Sequence, residues 1–124
     1  MAHPVEGVVR EMYEAINRRD MDGVAAAFAE DAVWHGGGGS VSGSREIADL
    51  VSQLVEASGD TLRIELHDVV GNDEHVVALQ VTTAERNGRR LVDRVVYVFH
   101  VAEGKINAAW FNGDPRVQDE FWSV

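Results

Sequence analysis

The sequence predicts one α+β domain over residues 1–124, with helices first and an antiparallel sheet after them. Apolar residues recur at helical spacing in the first half of the chain, whereas apolar and β-branched residues alternate as in strands from Thr61 onward. The dipeptide Asn87-Gly88 between two such stretches is a strong hairpin signal. Helices followed by hairpin-connected strands are typical of a fold in which the helices cover one face of the sheet.

Three helices are predicted before the sheet. The first covers residues 4–18 and has an apolar face formed by Val5, Val8, Val9, Met12 and Ile16. Asp20 is expected to cap a second, short helix from Met21 to Ala29. The third is expected to be capped by Ser44 and to end near Gly59.

A short strand and a glycine-rich loop are predicted between the second and third helices. The strand covers Ala32–His35, and the loop begins with the four glycines at 36–39. A phosphate-binding Walker loop requires a Gly-Lys pair, and a dinucleotide fingerprint requires a βαβ unit; the sequence offers neither. We therefore interpret the glycines as a pliable rim over the mouth of a cavity.

Four strands are predicted in the second half: Thr61–Val70, His75–Glu85, Leu91–Val101 and Lys105–Asn112. The third of these is apolar on both faces, although one face of an antiparallel sheet usually meets water. We expect the helices to cover one face and a second copy of the chain to cover the other. The expected assembly is a homodimer that forms through the outer sheet face.

Composition excludes several classes of function. The net charge of −10 disfavours nucleic acids and anionic membrane surfaces as partners. The absence of cysteine excludes thiolate metal sites and a cysteine nucleophile. No apolar run approaches the ~20 residues of a membrane helix, and the N-terminus does not have the pattern of a secretion signal, so a cytoplasmic location is expected.

The segment Ala29-Glu30-Asp31-Ala32-Val33-Trp34-His35 and the C-terminal Trp110-Phe111 and Asp114-Pro115 pairs resemble the nuclear transport factor 2-like superfamily. The SnoaL-like and ketosteroid-isomerase-like branches are the most similar. The resemblance implies a cone-shaped curved antiparallel sheet wrapped around three N-terminal helices, a cystatin-like α+β barrel with an apolar pocket. Members of the superfamily include isomerases, polyketide cyclases, epoxide hydrolases and binding proteins without catalytic activity.

The catalytic residues of two related groups can be compared with this sequence. Steroid isomerases use a helix tyrosine and two pocket aspartates, and the corresponding positions here are Met12, Gly36 and Val96. Epoxide hydrolases of the limonene type use an Arg and two Asp, and the corresponding positions are Arg94, Val96 and Asn112. The resemblance therefore preserves the arginine and loses the carboxylates of both patterns.

From these positions we expect a catalytic group made of His35, Arg94 and Asn112. The imidazole is the candidate general base, and the other two are candidates to stabilise a developing oxyanion. The expected substrate-binding residues are Trp34, Val96, Trp110, Phe111 and Tyr13. A packed rim histidine and a structural ion pair of Arg94 are the alternative interpretations.

No cofactor and no metal are predicted, because His67, His75 and His100 show no His-x-His or His-x-x-x-His spacing. The leading functional hypothesis is a cofactor-free isomerase, cyclase or hydrolase acting on a small hydrophobic carbonyl compound. The alternatives are a ligand-binding protein without catalysis and a dimeric protein-interaction module.

Overall fold

The computed structural model describes residues 4–36 and 39–123. Its elements, in chain order, are α1 (Pro4–Asn17), α2 (Met21–Ala27), β1 (Phe28–Gly36), β2 (Gly39–Ser42), α3 (Ser44–Ala57), β3 (Arg63–Gly71), β4 (His75–Arg86), β5 (Arg89–Ala102), β6 (Lys105–Asn112) and α4 (Pro115–Trp122). The α+β class, the three early helices and the four long strands are confirmed.

The strands form one curved, unclosed sheet in the order β2-β1-β6-β5-β4-β3. Strands β3 to β6 form the predicted meander, and each pairs antiparallel with the next. The prediction of an entirely antiparallel sheet is wrong at one place, because β1 pairs parallel with β6. Three successive hairpins set the direction of β6, and β1 arrives at its free edge from α2 in the same direction.

The region after the four glycines differs from the predicted loop. Residues 39–42 form a strand that pairs with β1, with Trp34 opposite Val41 and Gly36 opposite Gly39. Gly39 has φ +138°, a backbone conformation that favours glycine. Residues 37 and 38 of the predicted rim lie outside the described residues.

The helices differ from the predictions at three places, the first being that α2 ends at Ala27 and not at Ala29, because Phe28 already begins β1. The N-cap of α3 is Gly43 and no side chain caps it, so the assignment of Ser44 as the cap is wrong. Helix α4 was not predicted from the sequence. The Asp114 carboxylate accepts a hydrogen bond from the Arg116 backbone N–H, and proline is favourable at a first helical position.

Helices α1 to α3 pack on the inner face of the sheet. The largest fully buried side chains include Met12 and Ile16 of α1, Ile47 of α3 and Phe99 of β5. The end of α1 is fastened to β3, because Asn17 Nδ2 donates to Ile64 O (2.7 Å) and Asn17 Oδ1 accepts from Ile64 N (2.9 Å). This packing fixes the separation between the helices and one part of the sheet, where a cavity remains.

None of the helices in the described ranges combines the length and apolar character that crossing a membrane requires.

Candidate ligand cavity

A cavity of about 470 Å³ lies between the inner face of the sheet and helices α1, α3 and α4. Most of its wall is apolar, and the aliphatic part of the wall is formed by Ile16, Val41, Leu50, Val51, Leu54, Leu62, Ile64 and Val95. The aromatic part is formed by Trp34, Tyr97, Phe111 and Trp122. A volume of this size accommodates a small organic molecule.

One string of hydrogen bonds crosses the apolar wall. The Tyr13 hydroxyl donates to Gln80 Oε1, and Gln80 Nε2 donates to Thr82 Oγ1 over 3.1 Å. Tyr13 and Gln80 are only 2% and 4% exposed, so water does not replace these partners. Burial, followed by the proximity of Tyr97, raises the pKa of Tyr13 well above 10.

Tyr97 is the second phenol of the wall. Its ring lies against Trp34, with 4.9 Å between ring centroids. Burial raises the pKa of Tyr97, the hydrogen bond with Trp34 lowers it to a smaller extent, and the charge of Asp93 raises it. Both tyrosines are therefore protonated at neutral pH and can donate a hydrogen bond, but neither can act as a base.

Helix α4 forms the remaining wall, and polar contacts hold it on the sheet. Trp122 Nε1 donates to Gln118 Oε1 (2.9 Å), and Gln118 Nε2 donates to Asp93 Oδ2 (2.7 Å). Asp119 also lines the cavity and is the carboxylate among its described lining residues.

The C-terminal end of α4 is held by two arginines of the β4–β5 hairpin. Arg86 Nη1 donates to the carbonyls of Trp122 and Ser123 (2.8 Å each), and Arg89 Nη1 donates to the carbonyl of Glu120 (2.9 Å). These bonds fix the helix over the cavity through its backbone.

Three of the expected substrate-binding residues line the cavity: Tyr13, Trp34 and Phe111. Their placement agrees with the prediction, and their role in binding stays a prediction. Met12, which the resemblance placed at the position of a helix tyrosine, is fully buried in the core instead.

The expected catalytic group is not in the cavity. The other expected residues lie on the outer face of the sheet: His35, Arg94, Asn112, Val96 and Trp110. Successive strand residues point to opposite faces, so His35 cannot share the inner face with Trp34, nor Trp110 with Phe111. The assignment of these five residues to the pocket is wrong for this reason.

Strand β5 shows the same reversal. Its inner face carries Val95, Tyr97 and Phe99, and its outer face carries Arg94 in an exposed position opposite Val81 of β4. Arg94 is therefore not a buried polar anchor. Asp93 lies on the inner side and contacts α4.

The outer face carries a cross-strand apolar row that ends in an aromatic stack. Val70, Val77, Val98 and Trp110 are register neighbours on β3, β4, β5 and β6. The row ends where the rings of Trp110 and His35 stack with 5.7 Å between centroids and 6° between planes. His35 Nδ1 lies 3.2 Å from Ser40 Oγ, so the imidazole is part of the outer surface.

Four polar residues of the cavity wall were not predicted from the sequence: Gln80, Thr82, Gln118 and Asp119. A signal for the first two was present, because they lie between the small apolar residues Ala78 and Ala84 on the same face of β4. Polar side chains on the buried side of a strand indicate a cavity or a buried network.

The curved sheet with helices on its inner face is a fold of the cystatin-like class. Residues 9–109 match the SnoaL-like domain family, and the chain belongs to that family. A search of curated proteins found no significant match.

Three solved structures are similar over nearly the whole chain. Bal32a, from a soil-derived mobile gene cassette, is 29% identical with a TM-score of 0.90 and 96% coverage of both chains. A proposed polyketide cyclase of Xanthomonas campestris pv. campestris is 25% identical, with a TM-score of 0.77 and 97% coverage of both chains. An LEH-like epoxide hydrolase of M. tuberculosis is 20% identical, with a TM-score of 0.78 and coverage of 96% of this chain and 89% of that chain, and it supports the fold alone.

Proposed function

We propose that the cavity binds a small, flat, mostly apolar molecule that carries at least one oxygen acceptor. The observation that carries this proposal is the Tyr13–Gln80–Thr82 string in an otherwise apolar wall. Specific ligand sites combine large apolar surface with a few fixed polar groups in this way.

The direction of the string indicates the chemistry of the ligand. Tyr13 donates to Gln80 and Gln80 donates to Thr82, so the Thr82 hydroxyl accepts within the string and its own hydrogen takes no part in it. A carbonyl, quinone or ether oxygen of a ligand can accept it. The aromatic side chains of the wall favour a ring system, and the similarity to a proposed polyketide cyclase favours an aromatic polyketide.

Tryptophan fluorescence tests the proposal directly. The chain has three tryptophans, of which Trp34 and Trp122 line the cavity and Trp110 lies on the outer face. Titration with hydrophobic ketones, epoxides and aromatic polyketides should quench the first two. The Trp110→Phe variant should retain the quenching and the affinity.

The matched variant is Thr82→Val, which keeps the shape and removes the hydroxyl. We expect affinity to fall about 5- to 30-fold, as for the loss of one hydrogen bond worth about 1–2 kcal/mol. Val95→Phe should weaken binding because the larger ring narrows the cavity. Equal binding by wild type and both variants would place the ligand elsewhere and refute the proposal.

Catalysis is a second candidate function, favoured by the position of Asp119. Asp119 is an exposed residue at the cavity wall, and the protonated phenols of Tyr13 and Tyr97 line the same cavity. A carboxylate base and a phenol donor together suit cofactor-free proton transfer next to a carbonyl, as in an isomerase or a cyclase.

Asp119→Asn distinguishes catalysis from binding. In an enzyme this variant should keep the quenching and lose turnover by about 100-fold or more, as for loss of a general base. Unchanged turnover would exclude Asp119 as the base. Ligands that bind wild type without conversion would leave binding as the function.

We also propose that the outer face pairs with a second copy of the chain. Val70, Val92 and Trp110 are 57%, 48% and 38% exposed there, and an exposed apolar row of this kind marks an association surface. Sedimentation should show a dimer that Val98→Asp dissociates, whereas a monomer at micromolar concentration would refute the pairing. The cytoplasmic location stays a prediction.

A further inference from the structure

One corner of the outer sheet face brings together two histidines and a glutamate. His75 opens β4 and lies directly across from His100 of β5, and Glu74 precedes His75. One nitrogen or oxygen of each side chain lies within 4.8 Å of those of the other two. No other group of three His, Asp or Glu in the described ranges approaches this closely.

Asn107 fixes the tautomer of His100. The His100 Nδ1 atom lies 2.6 Å from Asn107 Oδ1, and an amide oxygen can only accept a hydrogen bond. Nδ1 therefore carries the hydrogen, and in the neutral ring the lone pair is on Nε2. Metal-ligating histidines are held in this way, with one nitrogen donating to an oxygen and the other facing the ion.

The backbone of the β3–β4 turn holds the other two residues in place. Asn72 Oδ1 accepts from the backbone N–H of Glu74 (2.9 Å) and of His75 (2.8 Å). The carbonyl of Glu74 accepts from Val101 N on β5 (2.8 Å), which joins the turn to the strand that carries His100. Only side-chain rotation remains to be fixed when an ion binds.

The spacing of the two imidazoles suits a shared ion. With a Zn–N distance of about 2.0–2.1 Å, a tetrahedral ion places two ring centres about 5.2 Å apart. The centroids of His75 and His100 are 5.2 Å apart, with 67° between the ring planes. A shared ion also needs ligand atoms about 3.3 Å apart, which the exposed Glu74 side chain can reach by rotation.

We propose that Glu74, His75 and His100 form a binding site for a divalent transition-metal ion, with zinc as the best match. Two imidazoles and one carboxylate form a set typical of zinc, whereas magnesium and calcium prefer oxygen ligands. The site is on the outer face, away from the cavity, so binding there is independent of the proposed cavity ligand.

The test is calorimetric titration of untagged protein with Zn²⁺, together with visible absorption of the Co²⁺ form. Both use a His3→Ala background, so that the N-terminal histidine does not contribute. We expect one ion per chain and an absorption band typical of tetrahedral cobalt. Asn107→Ala should weaken binding about 10- to 100-fold, because the orientation of His100 is lost.

His75→Ala and His100→Ala should weaken binding more than Asn107→Ala does. The matched control is His67→Ala, which removes an exposed strand histidine of β3 and should leave the affinity unchanged. Circular dichroism verifies that each variant is folded. Undetectable binding by wild type, or equal binding by wild type and both histidine variants, would overturn the site.

Discussion

The buried bond between Tyr13 and Gln80 makes a stability prediction that a double-mutant cycle can test. Tyr13→Phe removes one hydroxyl and leaves Gln80 Oε1 without its donor in a place that is 4% exposed. A buried polar group that loses its partner costs about 1–3 kcal/mol. For a domain of this size, at about 4 °C per kcal/mol, the melting temperature should fall by ~4–12 °C.

Gln80→Met tests the other side of the same bond. This change keeps the side-chain length but leaves the Tyr13 hydroxyl without an acceptor, so we expect a similar loss in the free energy of unfolding. The double variant removes both polar groups and should recover about 1–2 kcal/mol relative to the sum of the single variants. Urea denaturation of the wild type and the three variants provides the free energies of unfolding that the cycle compares.

Additive single effects would refute this reasoning. If the double variant equals the sum of the single variants within about 0.5 kcal/mol, the two side chains do not depend on each other. A small effect of Tyr13→Phe alone would indicate that water reaches Gln80, in contrast to the closed environment described above.

Three further predictions concern the two phenols, a helix cap and a glycine near the cavity. Burial raises the pKa of Tyr13 and Tyr97, the chain's two tyrosines, so the folded state holds these protons more tightly than the unfolded state does. The resulting contribution to the free energy of unfolding is complete below about pH 10 and falls as pH rises through the folded pKa values. Phenolate absorbance should therefore appear only when the protein unfolds. Asp20→Ala removes the carboxylate that accepts from Gly23 N (2.9 Å) at the start of α2 and should lower the unfolding free energy by about 1 kcal/mol, measured in urea; no change would show that this cap is not formed. Gly113→Ala would place a Cβ 2.8 Å from Phe111 Cζ and from Val95 Cγ1, so it should weaken the binding of any cavity ligand, and unchanged affinity would contradict the described wall.

The fold could be predicted from the sequence to a greater extent than the site. Helical and strand periodicities depend on local residue spacing, and they placed α1, α3 and the meander close to their observed bounds. The face of the sheet on which each strand side chain lies is harder to predict, because a register shift of one residue moves every side chain to the other face. The assignment of Arg94 and Val96 to the pocket followed the resemblance, although the bulkier Tyr97 and Phe99 occupy the alternate positions and are the ones that pack against the helices.

Contacts between distant strands could not be predicted from spacing along the chain. His75 and His100 are far apart in sequence, and only the register of β4 with β5 makes them neighbours. The same holds for Asp93 and Gln118, which meet because α4 folds back over the sheet. Strand register and helix return depend on the whole packed core, so a local pattern does not reveal them.

The end of α4 is attached to the β4–β5 hairpin through backbone carbonyls, whereas side chains of the same helix line the cavity. Arg86 and Arg89 bind carbonyl oxygens, which every amino acid supplies, so this part of the attachment does not depend on the helix sequence, whereas the bond from Gln118 to Asp93 does. The side chains that α4 turns toward the cavity lie beyond residue 109, where the match to the family ends. Substitutions on the cavity side of the last helix can therefore change the shape of the cavity while the end of the helix stays attached to the β4–β5 hairpin.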